Sequence, residues 1–159
     1  MVSKLVVFDL DDTLIDTSGQ LSPETVWDNL KELELLDGAR EFLVDFPARK
    51  ILVTKERMEG LQKAKLDKLG IFDLFEKVIV CTSNKEKSNY FRKIAEENNK
   101  VEIWAVGDRI DSEIRYANEW GWKTVLVKRG KYKTLNVLGK SYVSDYEIDD
   151  LFELGNLLK

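Results

Sequence analysis

The 159-residue chain is 43% apolar and 34% charged with only two prolines, the profile of one folded domain with a substantial core and too little length for two. A net charge of -4 with both signs interspersed argues against broad capture of nucleic acid, and a single cysteine, Cys81, excludes an internal disulfide or a cysteine zinc knuckle. The absence of histidine removes Ser-His-Asp triads, Cys-His dyads, histidine bases and histidine metal ligands together, leaving carboxylates, lysines, hydroxyls and an oxygen-seeking metal.

No apolar run approaches bilayer length, and Met1–Lys4 lead straight into an apolar segment, so a cytoplasmic protein with no membrane partner is expected. The first strand is predicted at Leu5–Phe8. After it come two helical patterns. Ser22-Pro23-Glu24 opens one, with Val26, Leu30 and Leu33 on its face and Trp27 along it, and Ala39 to Phe46 forms the other. Further strands are predicted at Ile51–Val53, Val78–Cys81, Ile103–Val106 and Thr124–Val127, all Val/Ile-rich with little polar alternation, as strands buried on both faces are. Helices are predicted between them. Met58, Leu61 and Ala64 mark one, whose lysines in Gln62–Lys68 read as an exposed face. Phe91, Ile94 and Ala95 mark the next, with Ser88 placed to cap, and Ile114 and Ala117 mark a third behind Asp111, which reads as its cap rather than as a ligand. Trp120-Gly121-Trp122 marks that helix's end, with Gly121 at the C-cap. A short strand at Ser141–Val143 and a closing helix from Ile148 to Leu158 complete the chain.

Alternating strand and helix predicts a single Rossmann-like α/β domain with a mostly parallel sheet of five or slightly more strands and helices on both faces. Strands two to five begin roughly 20 to 27 residues apart, the length of a bare crossover. The first gap is nearly twice that, so a small helical insertion follows strand one.

In an open parallel sheet, ligands bind beyond the carboxyl ends of the strands. Those ends carry Asp9, Asp11, Asp12 and Thr13, then Thr54-Lys55, then Cys81-Thr82-Ser83 with Lys85 and Lys87, then Gly107-Asp108 with Asp111 and Glu113. Carboxylates gathered so closely repel one another and are costly to desolvate without a cation. A cysteine phosphatase is disfavoured because Lys87 stands six residues after Cys81, where a phosphate-cradling arginine belongs. Cys81 reads as a small core residue.

Four features, in this order, resemble the motifs of the haloacid dehalogenase superfamily over about residues 4 to 130: Asp9-Leu10-Asp11-Asp12-Thr13 after an apolar strand, Thr54 ending ILVTK, a lysine near the start of a later helix, and AVGDRIDSEI. Members are mostly magnesium-dependent phosphatases. The resemblance implies Asp9 as nucleophile and metal ligand, and Asp11 as proton donor to the leaving group and then base, its backbone carbonyl on the metal. It implies Asp108 and Glu113 as further metal ligands, directly or through water, and Thr54 with a lysine on the phosphoryl oxygens. Lys87 fits that lysine better than Lys85 by its spacing from a helix start. Glu113 stands where an Asp is more usual, one methylene longer. Asp12 reads as a solvated or backbone-bonding residue, and Thr13 as a hydroxyl supporting the loop.

A dehalogenase needs no acid at the place of Asp11, so the expected activity is hydrolysis of phosphate monoesters through an aspartyl-phosphate. A receiver would need an acid ending strand three, and Cys81-Thr82-Ser83 has none. The alternatives kept are a non-catalytic magnesium- and phosphate-binding module and a phosphomutase or dehalogenase variant. Larger relatives close a cap over small substrates. Here residues 1–159 form one domain whose only room for a cap is a stub at about 16–36. This leaves an open site for a bulky or macromolecular ester, a site enclosed by a partner subunit, or a small-ester site beneath Trp27. Arg109 reads equally as a substrate contact or a surface salt bridge. Lys128-Arg129-Gly130-Lys131-Tyr132-Lys133 reads as a solvated loop on the catalytic side whose cations could draw an anionic substrate.

Overall fold

The computed structural model describes residues 3–17, 27–130, 132–133 and 135–159. Six parallel strands form one sheet: β1 (Lys4–Phe8), β2 (Arg49–Lys55), β3 (Lys77–Cys81), β4 (Glu102–Gly107), β5 (Lys123–Val127) and β6 (Tyr146–Ile148), in the order β3-β2-β1-β4-β5-β6. The five expected strands are all present. The sixth is Tyr146–Ile148, whereas Lys140–Tyr142 in the expected Ser141–Val143 segment is a 3-10 turn. Asp145 explains the placement: its carboxylate accepts from the Thr124 backbone N–H at 2.8 Å and its own N–H donates to Thr124 Oγ1 at 2.9 Å, fixing the chain just before it pairs with β5.

The strands alternate their side chains between two cores. Val6, Phe8, Leu52, Trp104, Val106 and Val125 pack with α1 (Ala39–Asp45), α2 (Leu61–Leu69) and α5 (Phe152–Leu157). Leu5, Val7, Ile51, Val53, Ile103 and Ala105 pack on the other face with α3 (Asn84–Glu97) and α4 (Arg115–Glu119). Apolar side chains on both faces of one strand give the unbroken hydrophobic runs. The closing helix is shorter than Ile148–Leu158 because Ile148 is the buried end of β6.

Helix α3 starts earlier than expected. Ser83, not Ser88, is its N-cap: the Ser83 hydroxyl accepts from the Glu86 N–H at 3.1 Å, and the Glu86 carboxylate accepts in turn from the Thr82 N–H and hydroxyl at 3.2 and 3.0 Å. This reciprocal arrangement satisfies the first turn and carries Lys87 inward. Before α4 lies one π-helical turn, Ile110–Ile114, a local widening that recurs at functional sites. Asp111 falls within it and is ion-paired to Arg109 at 2.8 Å rather than capping a helix.

In the insertion after β1, Ser22–Val26 lie outside the described residues. Its base is tied down by backbone pairing: the Asp16 N–H donates to the Glu34 carbonyl and the Leu36 N–H to the Leu14 carbonyl, at 3.3 and 2.8 Å. Leu33 and Leu36 are buried, while Leu30–Glu32 form a 3-10 turn and Trp27 is 46% exposed. Among the described residues no helix is long and apolar enough to cross a membrane.

Candidate active site

The strand order changes direction between β1 and β4, both of which continue to neighbours on their outer sides. The crevice at such a switch point is where this architecture binds ligands. The Asp9 N–H donates to the Val106 carbonyl at 3.1 Å, which holds the ends of β1 and β4 together and sets Asp9 beside Asp108.

Asp9, Asp108 and Glu113 are buried, and one carboxylate oxygen from each lies within 4.8 Å of the others. Burial, then the charge of Glu113, pushes the Asp9 carboxyl up to about 7. Burial, then the charge of Asp9, pushes Asp108 up to about 10, and the two share a hydrogen bond. The pair therefore holds a proton at neutral pH until another cation takes its place. Burial alone would lower the Lys87 ammonium, but Asp9 and Glu113 together raise it above its ordinary value. Lys87 Nζ donates to Asp9 Oδ1 at 3.1 Å and Glu113 Oε1 at 2.5 Å. One lysine cannot balance three acids.

Glu113 carries the sharpest sign of a missing partner. Its Oε2 is buried with no hydrogen-bond partner in the protein, a costly state for a carboxylate oxygen that a cation relieves. Three oxygen donors with one orphaned suit a hard divalent cation. Gly107 makes room for the longer acid: a Cβ there would fall 2.7 Å from both Cγ and Oε2 of Glu113. The π turn and the glycine thus bring a Glu in place of a shorter Asp.

Asp11 is not among these three. Its carboxylate turns to α2, where Lys65 Nζ donates to Oδ1 at 2.7 Å and Gln62 Nε2 to Oδ2 at 3.0 Å. Thr54, buried at the end of β2, accepts from the same Gln62 Nε2 at 2.6 Å. The lysines of Gln62–Lys68 are therefore not all on an exposed face. Lys65 is buried, with a side chain only 6% exposed, because it and Gln62 flank Leu61 and Leu66 on the inward stripe of α2. Their three-residue spacing was the available signal, masked by the surrounding lysines.

Lys87 points into the site, whereas Lys85 is exposed on the first turn of α3 and touches none of these residues. Asp12 is buried, not solvated: it adopts φ 56° and its Oδ1 accepts from the Thr17 N–H at 3.3 Å. The Thr13 hydroxyl does not support the loop by a hydrogen bond, since its Oγ1 is buried without a partner. Cys81 is buried in the core beneath α3, its thiol pushed up to about 11 by burial.

The loop after β5 is packed onto this end of the sheet rather than free in solvent. Arg129 pairs with Asp16 at 3.3 Å, and a Cβ at Gly130 (φ +75°) would fall 2.8 Å from the Asp12 carboxylate. Arg109 stacks on Tyr132 at 3.9 Å and donates to its hydroxyl at 3.0 Å, while Asp111 accepts from its Nε and Nη2 edge at 3.0 and 2.8 Å. Lys131 lies outside the described residues. At the mouth, Lys55 donates to Asn84 Oδ1 at 3.2 Å, and burial and then the neighbouring charges of Arg109, Lys87 and Arg57 lower its ammonium below the usual value.

The HAD-hydrolase-like family model matches residues 84–154. A protein of Methanopyrus kandleri named glyceraldehyde 3-phosphate phosphatase is 34% identical over 103 residues, 62% of this chain and 44% of that protein. The chain thus spans less than half the length of that relative. A protein of the same name from Pyrococcus furiosus is 27% identical over 224 aligned positions covering 98% of this chain and 93% of its own. With only 159 residues here, that relative holds residues with no counterpart in this chain. The fold is similar to a magnesium-bound HAD hydrolase of Bacillus subtilis, YfnB (TM-score 0.74, 16% identity, 100% of each chain). It is also similar to a D,D-heptose 1,7-bisphosphate phosphatase of B. bronchiseptica complexed with magnesium and phosphate (TM-score 0.72, 20% identity, 98% and 97% of the chains).

Proposed function

We propose that this chain, which belongs to the haloacid dehalogenase-like hydrolases, is a magnesium-dependent phosphatase that cleaves phosphate monoesters through a phosphorylated Asp9. The observation that carries the reading is the buried Asp9, Asp108 and Glu113 trio with its orphaned Glu113 oxygen, set against Lys87. Magnesium held by these three, with the Asp11 backbone carbonyl, supplies the positive charge that lets a carboxylate approach a phosphate dianion.

The residues then divide the work. Asp9 bonds to phosphorus as the ester P–O bond breaks, and Asp11 gives its proton to the departing oxygen. Lys87 and the Thr54 hydroxyl hold the phosphoryl oxygens. Because Thr54 Oγ1 already accepts from Gln62, its own proton is left to donate to that group. Asp11 next takes a proton from water, which attacks phosphorus, releases phosphate and restores Asp9. Lys85, exposed on α3, is left for an outer contact with the substrate.

The substrate class follows from the relatives named for glyceraldehyde 3-phosphate: a small phosphorylated metabolite, with triose phosphates the first to try. The chain is one cytoplasmic domain, with room for no more than a stub cap at about residues 16–36. The test is phosphate release from a chromogenic aryl phosphate and from triose phosphates, with magnesium and with chelator, in the parent and Asp9→Asn. Magnesium-dependent release lost in Asp9→Asn is expected. A folded parent inactive on a broad ester panel would leave a non-catalytic binding module.

A further inference from the structure

Lys65 and Gln62 belong to none of the four sequence motifs, yet they hold the carboxylate of Asp11. Lys65 is a buried ammonium that donates to Asp11 Oδ1 at 2.7 Å. Such a charge is costly to bury without a partner, so the pair is a strong constraint on both groups. Gln62 has two amide hydrogens to give, and it divides them between Asp11 Oδ2 and Thr54 Oγ1. The start of α2 is itself anchored: Glu56, two residues beyond Thr54, accepts from the backbone N–H groups of Gly60 and Gln62, both at 3.3 Å. Strand end, helix start and acid/base residue are thereby one hydrogen-bonded unit.

The separation of charges is the second part of the argument. Lys87 serves Asp9 and Glu113, whereas Lys65 serves Asp11. A free Asp11 carboxylate, two residues from Asp9, would be drawn to any cation among the three buried acids. There it would be a further ligand and no longer face a leaving group. Resting on the phosphatase reading above, we infer that Lys65 and Gln62 are positioning residues: they hold the Asp11 carboxylate away from the metal-binding trio, so that it serves the leaving-group oxygen. Lys65 acts through the geometry of its hydrogen bond, and each Asp11 oxygen keeps a second lone pair for the proton that goes to the leaving group. Gln62 acts by coupling Asp11 to the phosphoryl-holding hydroxyl of Thr54.

The test compares the parent with Lys65→Met, Lys65→Arg and Gln62→Met on aryl phosphates whose leaving groups span a range of acidity. General acid catalysis contributes about 10²- to 10⁴-fold and matters most when the departing oxygen is basic. In Lys65→Met, kcat/KM, which reports the steps up to departure of the leaving group, is therefore expected to fall by at least about tenfold on phenyl phosphate and by less than about twofold on 2,4-dinitrophenyl phosphate. Lys65→Arg should restore most of the loss. A purely structural ion pair would instead lower Tm and reduce kcat/KM evenly across leaving groups, which overturns the inference, as does an unchanged kcat/KM throughout. Crystal structures of the parent and Lys65→Met with magnesium provide the arm that needs no turnover. Asp11 should leave α2 in the variant and turn toward the metal, and a carboxylate that keeps its place overturns the inference. If the parent hydrolyses no ester, the phosphatase reading falls, and the crystal structures alone decide whether Lys65 positions Asp11.

Discussion

Glu113 lies so close over Gly107 that a Cβ on the glycine would stand 2.8 Å from its Cβ and 2.7 Å from its Oε2. Overlap with the Cβ and Cγ cannot be relieved by turning the carboxylate alone. Gly107→Ala is therefore expected to push Glu113 out of reach of the other acids. The strain costs about 1–3 kcal/mol by the usual penalty for overpacking, and magnesium affinity should fall by about tenfold or more, the loss of one ligand's worth of binding. Isothermal titration with magnesium, beside a thermal melt, checks this. Parent-like affinity would mean that Glu113 does not hold the ion.

Magnesium and pH should act on stability together. The Asp9 and Asp108 carboxyls are raised in the folded state, to about 7 and about 10, first by burial and then by Glu113 for Asp9 and by Asp9 and Glu113 for Asp108. For a raised acid the folded state binds the proton more tightly than the unfolded one. Stability is therefore fullest below the ordinary carboxylate range and is lost as pH rises through the raised values. The raised Lys87 keeps its charge through this window and adds no slope of its own. Without magnesium, these two acids thus destabilise the fold progressively from about pH 4 to pH 7, and Asp108 continues beyond. An ion that replaces the proton removes the penalty. The gain in Tm on adding magnesium should accordingly be larger at about pH 8 than at about pH 5, with protons released on binding near neutrality. Equal gains at both pH values would contradict this.

Thr54 separates hydroxyl from shape. Thr54→Val keeps the volume but removes both the phosphoryl donor and the acceptor of Gln62. A hydrogen bond to a charged group contributes about 1.5–3 kcal/mol, so kcat/KM should fall by about 10- to 100-fold. Thr54→Ser should stay within about threefold of the parent, because it keeps the hydroxyl. Steady-state kinetics on one aryl phosphate suffices, and equal losses in both variants would remove Thr54 from the site.

Trp27 tests the stub. It is half exposed at the outer part of an insertion whose base is pinned to Leu14 and Asp16. If residues 16–36 cover small substrates, Trp27→Ala raises KM for small esters by about threefold or more with kcat nearly unchanged, the signature of lost uniform binding. An unchanged KM would mean an open site.

Hydrophobic patterning determined the layers. Strands buried on both faces need continuous apolar runs, and Leu5–Phe8, Ile51–Val53 and Ile103–Val106 could be read as such because no polar residue is tolerated there. The strand-end acids were legible for the same reason: Asp9 and Asp108 each end an apolar run abruptly, and parallel strands must bring those ends to one edge. The short β6 was not, since Tyr146 and Glu147 are exposed and its place depends on Asp145 reaching Thr124 across the sheet. Nor was the choice between Lys85 and Lys87, which turned on where α3 begins; the Ser83 cap put one lysine in solvent and the other between Asp9 and Glu113.

Composition and local spacing thus determined the class of fold, the ban on histidine chemistry and the two acid-bearing strand ends. Only the tertiary structure decided which cation meets which acid. A lysine on an amphipathic helix looks the same in sequence whether it faces water or a carboxylate more than fifty residues away, and Lys65 finds Asp11 only because α2 is docked beside the end of β2. Helical periodicity reports the direction in which a side chain points. What it meets there is a property of the packed chain.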